Sequence, residues 1–395
     1  MLARRLLVAL AAVLVATPAL GQPTFSRWAL SDAIDAALDG EDLGPAVWGA
    51  HVVDLTSGEV LYSRASYGSF IPASNMKLVT TAAALDAFGP GHRFETALYA
   101  DGEVAYGTLA GPLILRGAGD PMLVGRRARA ELRRVFHGWA DSLHARRIRT
   151  VLGPVLLADD TVADPDLDLA EILADVFHDE GIQIVEREAA VLAPWQTPAY
   201  DSMERLASHR SAPLADYIRL TNEDSNNAYA ERLLWATAAR VHGGPAPGAF
   251  RASAVEESLR HLGVDARSVV VADGSGLSRS NRMTPAGAVE LLAAMWDHPS
   301  VETRAAFVES LPVGGRTGTL RRRYRAGDAR GNVRAKTGYV RGVRTLSGYV
   351  TSATGRPLAF SLMCNGYTTR TSRVNRVQDA VVELLADYEG HQIGG

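Results

Sequence analysis

The stretch IPASNMKLVTTAAALDAF, residues 71–88, opens with Pro72-Ala73-Ser74 and continues in residues that favour helix until Gly89-Pro90 stops it. Leu78, Ala82 and Leu85 fall on one stripe, which predicts a helix with Ser74 at its N-terminus. Lys77 follows three residues later. That spacing puts both side chains on one helix face, with the lysine amine in reach of the serine hydroxyl.

A serine hydroxyl is a poor nucleophile at neutral pH and needs an adjacent base. A lysine can be that base only if burial or a neighbouring cation lowers its pKa, and the positive end of a helix dipole acts in the same direction. The unpaired N–H groups at a helix start also suit an oxyanion. One turn of chain thus offers Ser74 as nucleophile, Lys77 as base and part of the electrostatics.

Ser-x-x-Lys alone is a weak signal, since a chain of this length holds about one by chance. A capping serine followed by a solvated lysine is the ordinary explanation of such a pair taken alone. Lysine usage sharpens the reading. Lys and Arg together number 41, yet the only lysines are Lys77 and Lys336. Arginine cannot be deprotonated in a protein and lysine can, so these two mark places where arginine will not serve.

The chain has 395 residues, 47% hydrophobic and 22% charged, which fits a globular protein of one large domain or two ordinary ones. Its net charge of -3 gives no sign of a nucleic-acid partner. Arg4 and Arg5, the apolar run Leu6–Val15 and the small-x-small site Ala19-Leu20-Gly21 read as a secretory signal peptide over 1–21. The mature protein is expected in the periplasm or cell envelope, with no anchor after cleavage and only surface contact with the membrane open to it. Cys364 is the sole cysteine, which excludes an internal disulfide, and its apolar surroundings make it a core residue. There is no HExxH pair and no P-loop, so neither metal nor organic cofactor is expected.

Along the chain, Ser31–Leu38 reads as a helix, and Ala46–Leu55 with Glu59–Ser63 as a hairpin. From about Arg93 the texture changes to short β segments, then helices at Ala130–Ala145 and Leu169–Glu180 alternating with strands at Val151–Ala158 and Ile182–Val185. This predicts a small α/β module inserted over 93–198, with Ala193-Pro194-Trp195 as the return linker. Helices are expected at Met203–Ala207, Leu214–Thr221, Asn226–Val241, Ala252–Leu262 and Pro285–Trp296. Strands at Asn332–Tyr339, Thr345–Thr351 and Pro357–Asn365 precede a closing helix at Asn375–Tyr388. The pattern is α+β: one antiparallel five-stranded sheet flanked by helices, built from 22–92 and 199–395 and closed by both termini.

Two further motifs stand out. Ser225-Asn226-Asn227 lies between two helices, where Ser225 is either a helix N-cap or a hydroxyl that relays a proton, with Asn227 holding a substrate amide. Lys336-Thr337-Gly338 lies on a strand, so Lys336 and Gly338 share one face. Gly338 leaves room for a close backbone, Lys336 and Thr337 suit a carboxylate, and the N–H of Tyr339 is placed to complete an oxyanion hole.

In the order Ser-x-x-Lys, Ser-x-Asn, Lys-Thr-Gly, the motifs resemble the active-site signature of the serine penicillin-binding proteins and β-lactamases. The resemblance is closer to the class C low-molecular-mass penicillin-binding proteins, the D-alanyl-D-alanine carboxypeptidase/endopeptidase family. It is carried by Phe70–Leu85, Gly111–Asp120, Thr221–Asn227, Ala272–Asn281 and Ala335–Val350, and that family has an insert between its first two motifs. The resemblance implies a penicillin-binding transpeptidase-like fold and an acyl-enzyme on Ser74. It implies catalytic roles for Lys77, Ser225 and Lys336, substrate binding by Asn227, Thr337, Gly338 and Tyr339, and no cofactor. The implied partners are peptidoglycan stem peptides and β-lactams as covalent inhibitors, and nothing in the sequence sets an oligomeric state. Two departures stand out: the insert is shorter than the family's full insertion, and Tyr339 occupies a position usually held by serine or threonine. The rival readings are a serine β-lactamase or esterase, for which no deacylating base is evident, and a non-catalytic cell-wall-binding protein.

Overall fold

The structure, a computed structural model, describes residues 27–121, 126–159, 168–192, 199–244 and 249–390. The signal peptide and the linker at 193–195 lie outside the described residues. Helix α1 (Arg27–Asp39) leads into the hairpin β1 (Val47–Asp54) and β2 (Val60–Arg64). The Asp54 carboxylate builds the turn by accepting from the N–H groups of Thr56 and Ser57. A 3₁₀ turn at Ala73–Asn75 then runs into α2 (Met76–Phe88).

The chain next forms β3 (Glu95–Ala100), β4 (Val104–Ala105), β5 (Thr108–Leu109) and β6 (Leu113–Gly117), followed by α3 (Arg126–Ala145). It continues through β7 (Thr150–Val151), β8 (Val155–Asp159), α4 (Asp168–Asp179), β9 (Gln183–Ile184), β10 (Ala190–Val191) and β11 (Glu204–Arg210). Helices α5 (Leu214–Glu223), α6 (Asn227–His242) and α7 (Ala249–His261) follow, then the pair β12 (Val269–Val270) and β13 (Arg282–Met283). The last part holds α8 (Pro285–Trp296), α9 (Val301–Glu309), β14 (Arg334–Val340), β15 (Val343–Thr351), β16 (Pro357–Asn365) and α10 (Thr371–Ala386).

The expected five-stranded antiparallel sheet is present, in the order β14-β15-β16-β1-β2. Strand β16 shows why its sequence is apolar throughout. Leu358, Phe360, Leu362 and Cys364 point to a core shared with α1 and α10, whereas Ala359 and Met363 point to a core shared with α2 and α8. A strand covered on both faces needs apolar residues on both. Cys364 is a core residue, and burial pushes its thiol up to about 12.

Helix α2 is the axis of the helical half. The expected stripe of Leu78, Ala82 and Leu85 understates it, because Met76 to Leu85 are buried on every side. Its Ala and Thr residues let α5, α6 and α7 pack close, and a helix surrounded by protein carries small or apolar residues all round. Lys77 is thereby inside the protein, fully buried.

The chain between α2 and α5 forms a mixed five-stranded sheet in the order β10-β8-β6-β3-β11, and a small four-stranded sheet in the order β4-β5-β7-β9. Their core includes Leu98, Leu115, Leu157, Phe136 and Phe177, and Tyr217 and Tyr229 from α5 and α6 pack into it. A buried ion pair between Arg232 and Asp159 adds a polar tie to α6. One expectation fails: Met203–Ala207 is not a helix. Its helix-forming residues lie at the start of β11, which pairs antiparallel with β3 from Glu204↔Ala100 to Arg210↔Glu95. The free edge of β3 overrides local propensity, and the second sheet therefore reaches beyond residue 198. Helix α9, capped by Ser300 accepting from the Thr303 N–H, was not expected from the sequence.

Candidate active site

Ser74 sits in the 3₁₀ turn just before α2, half-buried, and Lys77 is in the first turn of the helix. The Lys77 Nζ donates to Ser74 Oγ at 3.2 Å, to Asn227 Oδ1 at 2.7 Å and to the Ser275 carbonyl at 2.5 Å. An ammonium has three N–H groups, and these are three acceptors. In the neutral amine the two shorter bonds occupy both remaining N–H groups and leave the lone pair facing Ser74. The arrangement can therefore take a proton from the serine.

Burial is the first cause that lowers the Lys77 pKa, from the usual 10.5 to about 8, and the carboxylates of Glu231 and Asp273 push the other way. Of the two causes open from the sequence, burial or a neighbouring cation, burial is the one that acts on Lys77. The cationic effect falls instead on Lys336, which burial first, then Lys77 and Arg344, hold well below the usual lysine range.

Ser225 does not cap a helix. Asn226 caps α6 by accepting from the Tyr229 N–H at 3.1 Å, and Ser225 is held with φ of 57°, a strained region for a residue with a Cβ. Its hydroxyl accepts from Lys336 Nζ at 3.0 Å, and the same amine donates to the Thr337 carbonyl at 2.9 Å. Asn227 starts α6 and contacts Lys77 directly. In this state its carbonyl oxygen belongs to the base, and its NH₂ group is the part left for a substrate.

Strand β14 is the edge of its sheet. The Ala335 N–H donates to Pro312 O on the side away from β15, and strand alternation sends the N–H groups of Thr337 and Tyr339 to that same side. Gly338 brings this strand against the nucleophile. A Cβ there would lie 2.1 Å from Thr345 Oγ1, 2.8 Å from Pro72 O and 3.1 Å from Ser74 N. Thr345 Oγ1 also donates to Pro72 O at 2.8 Å, which ties the sheet to the Ser74 turn. The hydroxyls of Thr337 and Thr319 are 2.9 Å apart, and Thr319 lines a cavity of about 450 Å³ with Glu223, Asp224, Arg316 and Arg321. All eight residues singled out in the sequence are thus gathered into one cluster by these contacts and by their places on β14, although the Tyr339 side chain points to solvent, 54% exposed.

A sequence profile of the D-Ala-D-Ala carboxypeptidase 3 (S13) family matches residues 30–164 and 154–388. The chain belongs to that family. A D-alanyl-D-alanine carboxypeptidase from an Actinomadura species is 32% identical over 486 aligned positions, covering 96% of this chain and 89% of the relative. Among solved structures, penicillin-binding protein 4 from Haemophilus influenzae superposes with a TM-score of 0.76 at 23% identity, over 89% of this chain and 97% of that one. The same protein is matched in complex with a β-lactam. A predatory endopeptidase from Bdellovibrio bacteriovorus gives a TM-score of 0.60 at 18% identity, over 87% and 93% of the two chains. These structural likenesses establish the serine β-lactamase/penicillin-binding fold.

Around the motifs of this S13 chain the structure adds groups that sequence reading did not assign. Glu231 accepts from the N–H groups of Gly274 and Ser275, and Asp273 from those of Gly276 and Ser278. Asn281 closes the loop on Ala272 and Asp273. The run Ala272–Asn281, dense in Gly, Ser, Asp and Asn, announces a built turn, and Ser275 lies in it. Its contact with Lys77 is a backbone carbonyl, which no residue-type argument picks out. Thr319 carries no spacing signal and joins the site only through folding.

Proposed function

We propose that this S13 chain is a serine D-alanyl-D-alanine carboxypeptidase/endopeptidase that cleaves peptidoglycan peptides through an ester on Ser74 and is acylated there by β-lactams. The observation that carries the reading is the three-way coordination of Lys77 by Ser74, Asn227 and the Ser275 carbonyl within contact of the Lys336-Thr337-Gly338 strand.

In the proposed reaction Lys77 takes the Ser74 proton as Oγ bonds to the carbonyl carbon of the penultimate D-alanine. The N–H groups of Ser74 and Tyr339 hold the oxyanion. When the C–N bond breaks, the proton that Lys77 took from Ser74 passes through the Ser225 hydroxyl, which Lys336 holds, to the leaving amine, and Lys77 is neutral again. The Asn227 amide holds the peptide, Gly338 keeps the strand close, and water then releases the acyl group. Because Lys336 Nζ is turned inward onto Ser225 and the Thr337 carbonyl, the terminal carboxylate is assigned to the Thr337 hydroxyl with Thr319, and Lys336 acts on the relay. The names of the Actinomadura and Bdellovibrio proteins cover both carboxypeptidase and endopeptidase, and the β-lactam complex of the Haemophilus protein supports the inhibitor class.

The catalytic part is proposed to comprise 22–92 and the chain from α5 to the C-terminus, with the inserted module ending after β11 rather than at 198. Residues 1–21 are proposed to direct the chain to the cell envelope, consistent with cell-wall relatives. Among the described residues no helix is long and apolar enough to cross a membrane. The test is incubation of the purified protein with a D-Ala-D-Ala peptide and with a cross-linked muropeptide, in wild type and Ser74→Ala. Product from wild type alone supports the reading, and equal product from both sinks it.

A further inference from the structure

Asn227 and Glu231 lie four residues apart on α6 and so share a face. Asn227 reaches Lys77 directly. Glu231 reaches it through the turn at 273–276: its Oε1 accepts from the Ser275 N–H at 2.8 Å and its Oε2 from the Gly274 N–H at 3.1 Å. A carboxylate that takes two consecutive N–H groups with its two oxygens fixes the turn in both position and tilt, and such charge-assisted bonds are roughly twice as strong as neutral ones.

The same turn is held from the other side. Gly276, at φ of +82°, lies so close to the nucleophile turn that a Cβ would be 1.8 Å from Ala73 O and 3.0 Å from Ser74 N. Thr80 Oγ1 of α2 donates to the Gly274 carbonyl at 2.8 Å. The peptide between Ser275 and its neighbours is therefore clamped between α6 and α2, and its carbonyl takes a Lys77 N–H at 2.5 Å.

We propose that Glu231 is a positioning residue for the proton transfer between Ser74 and Lys77, acting by holding the Ser275 carbonyl where it consumes one lysine N–H and turns the amine's lone pair onto Ser74 Oγ. This rests on the reading of Ser74 and Lys77 given above. Without that anchor the amine is free to rotate an N–H toward the serine, and proton uptake requires reorientation first. Glu231 also carries charge. The groups that face Lys77 are Glu231 from α6 and Asp273 from the turn, both negative, and Lys336 from β14. Removing the Glu231 charge makes the lysine easier to deprotonate even as it loosens the geometry, so the two functions move two different observables.

The experiment follows acylation by a labelled penicillin against pH in the full-length wild type, Glu231→Gln and Glu231→Asp. Glu231→Gln keeps one acceptor oxygen but no charge: its plateau rate is expected to fall about 10-fold, with the midpoint of its pH profile moving to lower pH. Glu231→Asp keeps the charge on a shorter arm: a plateau loss of about 10-fold with the wild-type midpoint is expected. A purely structural role would lower the melting temperature without moving the midpoint. Wild-type plateau and midpoint in Glu231→Gln overturn the proposal. If that variant does not fold, a wild-type plateau in Glu231→Asp does so. Failure of the wild type itself to take label contradicts the Ser74 reading instead, so the two failures are told apart.

Discussion

The amine of Lys77 lies 2.5 Å from the carbonyl oxygen of Ser275, 198 positions further along the chain, and only 3.2 Å from the hydroxyl of Ser74. The shorter contact goes to an acceptor that cannot give up a proton, and the longer one to the group that can. A base built this way spends its own N–H groups on fixed acceptors and keeps its lone pair for the nucleophile.

The pH dependence of acylation follows from that base. Lys77 acts when neutral, and burial brings its pKa down to about 8. The acylation rate is expected to rise with pH to a midpoint near 8 and then level off, measured with a labelled penicillin across pH 6–10. A midpoint near 10.5, the ordinary lysine value, would show that the amine is not buried as described.

Stability should carry the opposite signature to an ordinary ion pair. A lysine whose folded pKa is depressed binds more protons when unfolded, so between about pH 8 and 10.5 stability rises with pH as the unfolded state loses its proton. The cost of burying the amine below pH 8 is about 3 kcal/mol. Lys77→Met removes that cost but strips the Asn227 and Ser275 oxygens of a donor, at about 1–3 kcal/mol each. These terms largely offset each other, and Lys77→Met is expected to unfold within about 3 kcal/mol of wild type in urea while acylation slows by about 100-fold or more.

Gly276→Ala tests the close approach of the turn to the nucleophile. The added Cβ meets backbone atoms of Ala73 and Ser74, and the φ of +82° is strained for alanine in any case. A destabilisation of about 2–4 kcal/mol is expected in urea unfolding, with acylation slowed. Wild-type stability would mean that the turn does not pack as described.

The paired hydroxyls of Thr337 and Thr319 predict coupled effects. Thr337→Val should reduce kcat/KM for a D-Ala-D-Ala peptide about 10-fold through the lost bond to the carboxylate. Thr319→Val should cost less alone, and in the double variant the two losses should fall short of additive by about 0.5–1 kcal/mol. Full additivity would separate Thr319 from the site.

Much of this arrangement could be read from the sequence because its parts are local. Ser74 and Lys77 sit one turn apart, and Gly338 lies where only a side-chain-free strand can meet Ser74. Strand β15 declares itself by its Val and Thr residues and β16 by a continuous apolar run, closed by a helix with clear periodicity. What was missed depends on long-range pairing. Met203–Ala207 has helical composition but completes the edge of β3, and Ser225 resembles a cap until Asn226 takes that place. The acceptor that aims Lys77 is a peptide carbonyl, and every residue has one. Its selection by Glu231 exists only once α6 and the 273–276 turn are side by side.

The most direct measurement is mass spectrometry of the protein after incubation with a penicillin, followed by peptide mapping. One adduct per chain is expected, on Ser74, absent in Ser74→Ala and slowed in Lys77→Met. An adduct on another residue, such as Ser225 or Ser275, or no adduct in the folded wild type, would contradict it.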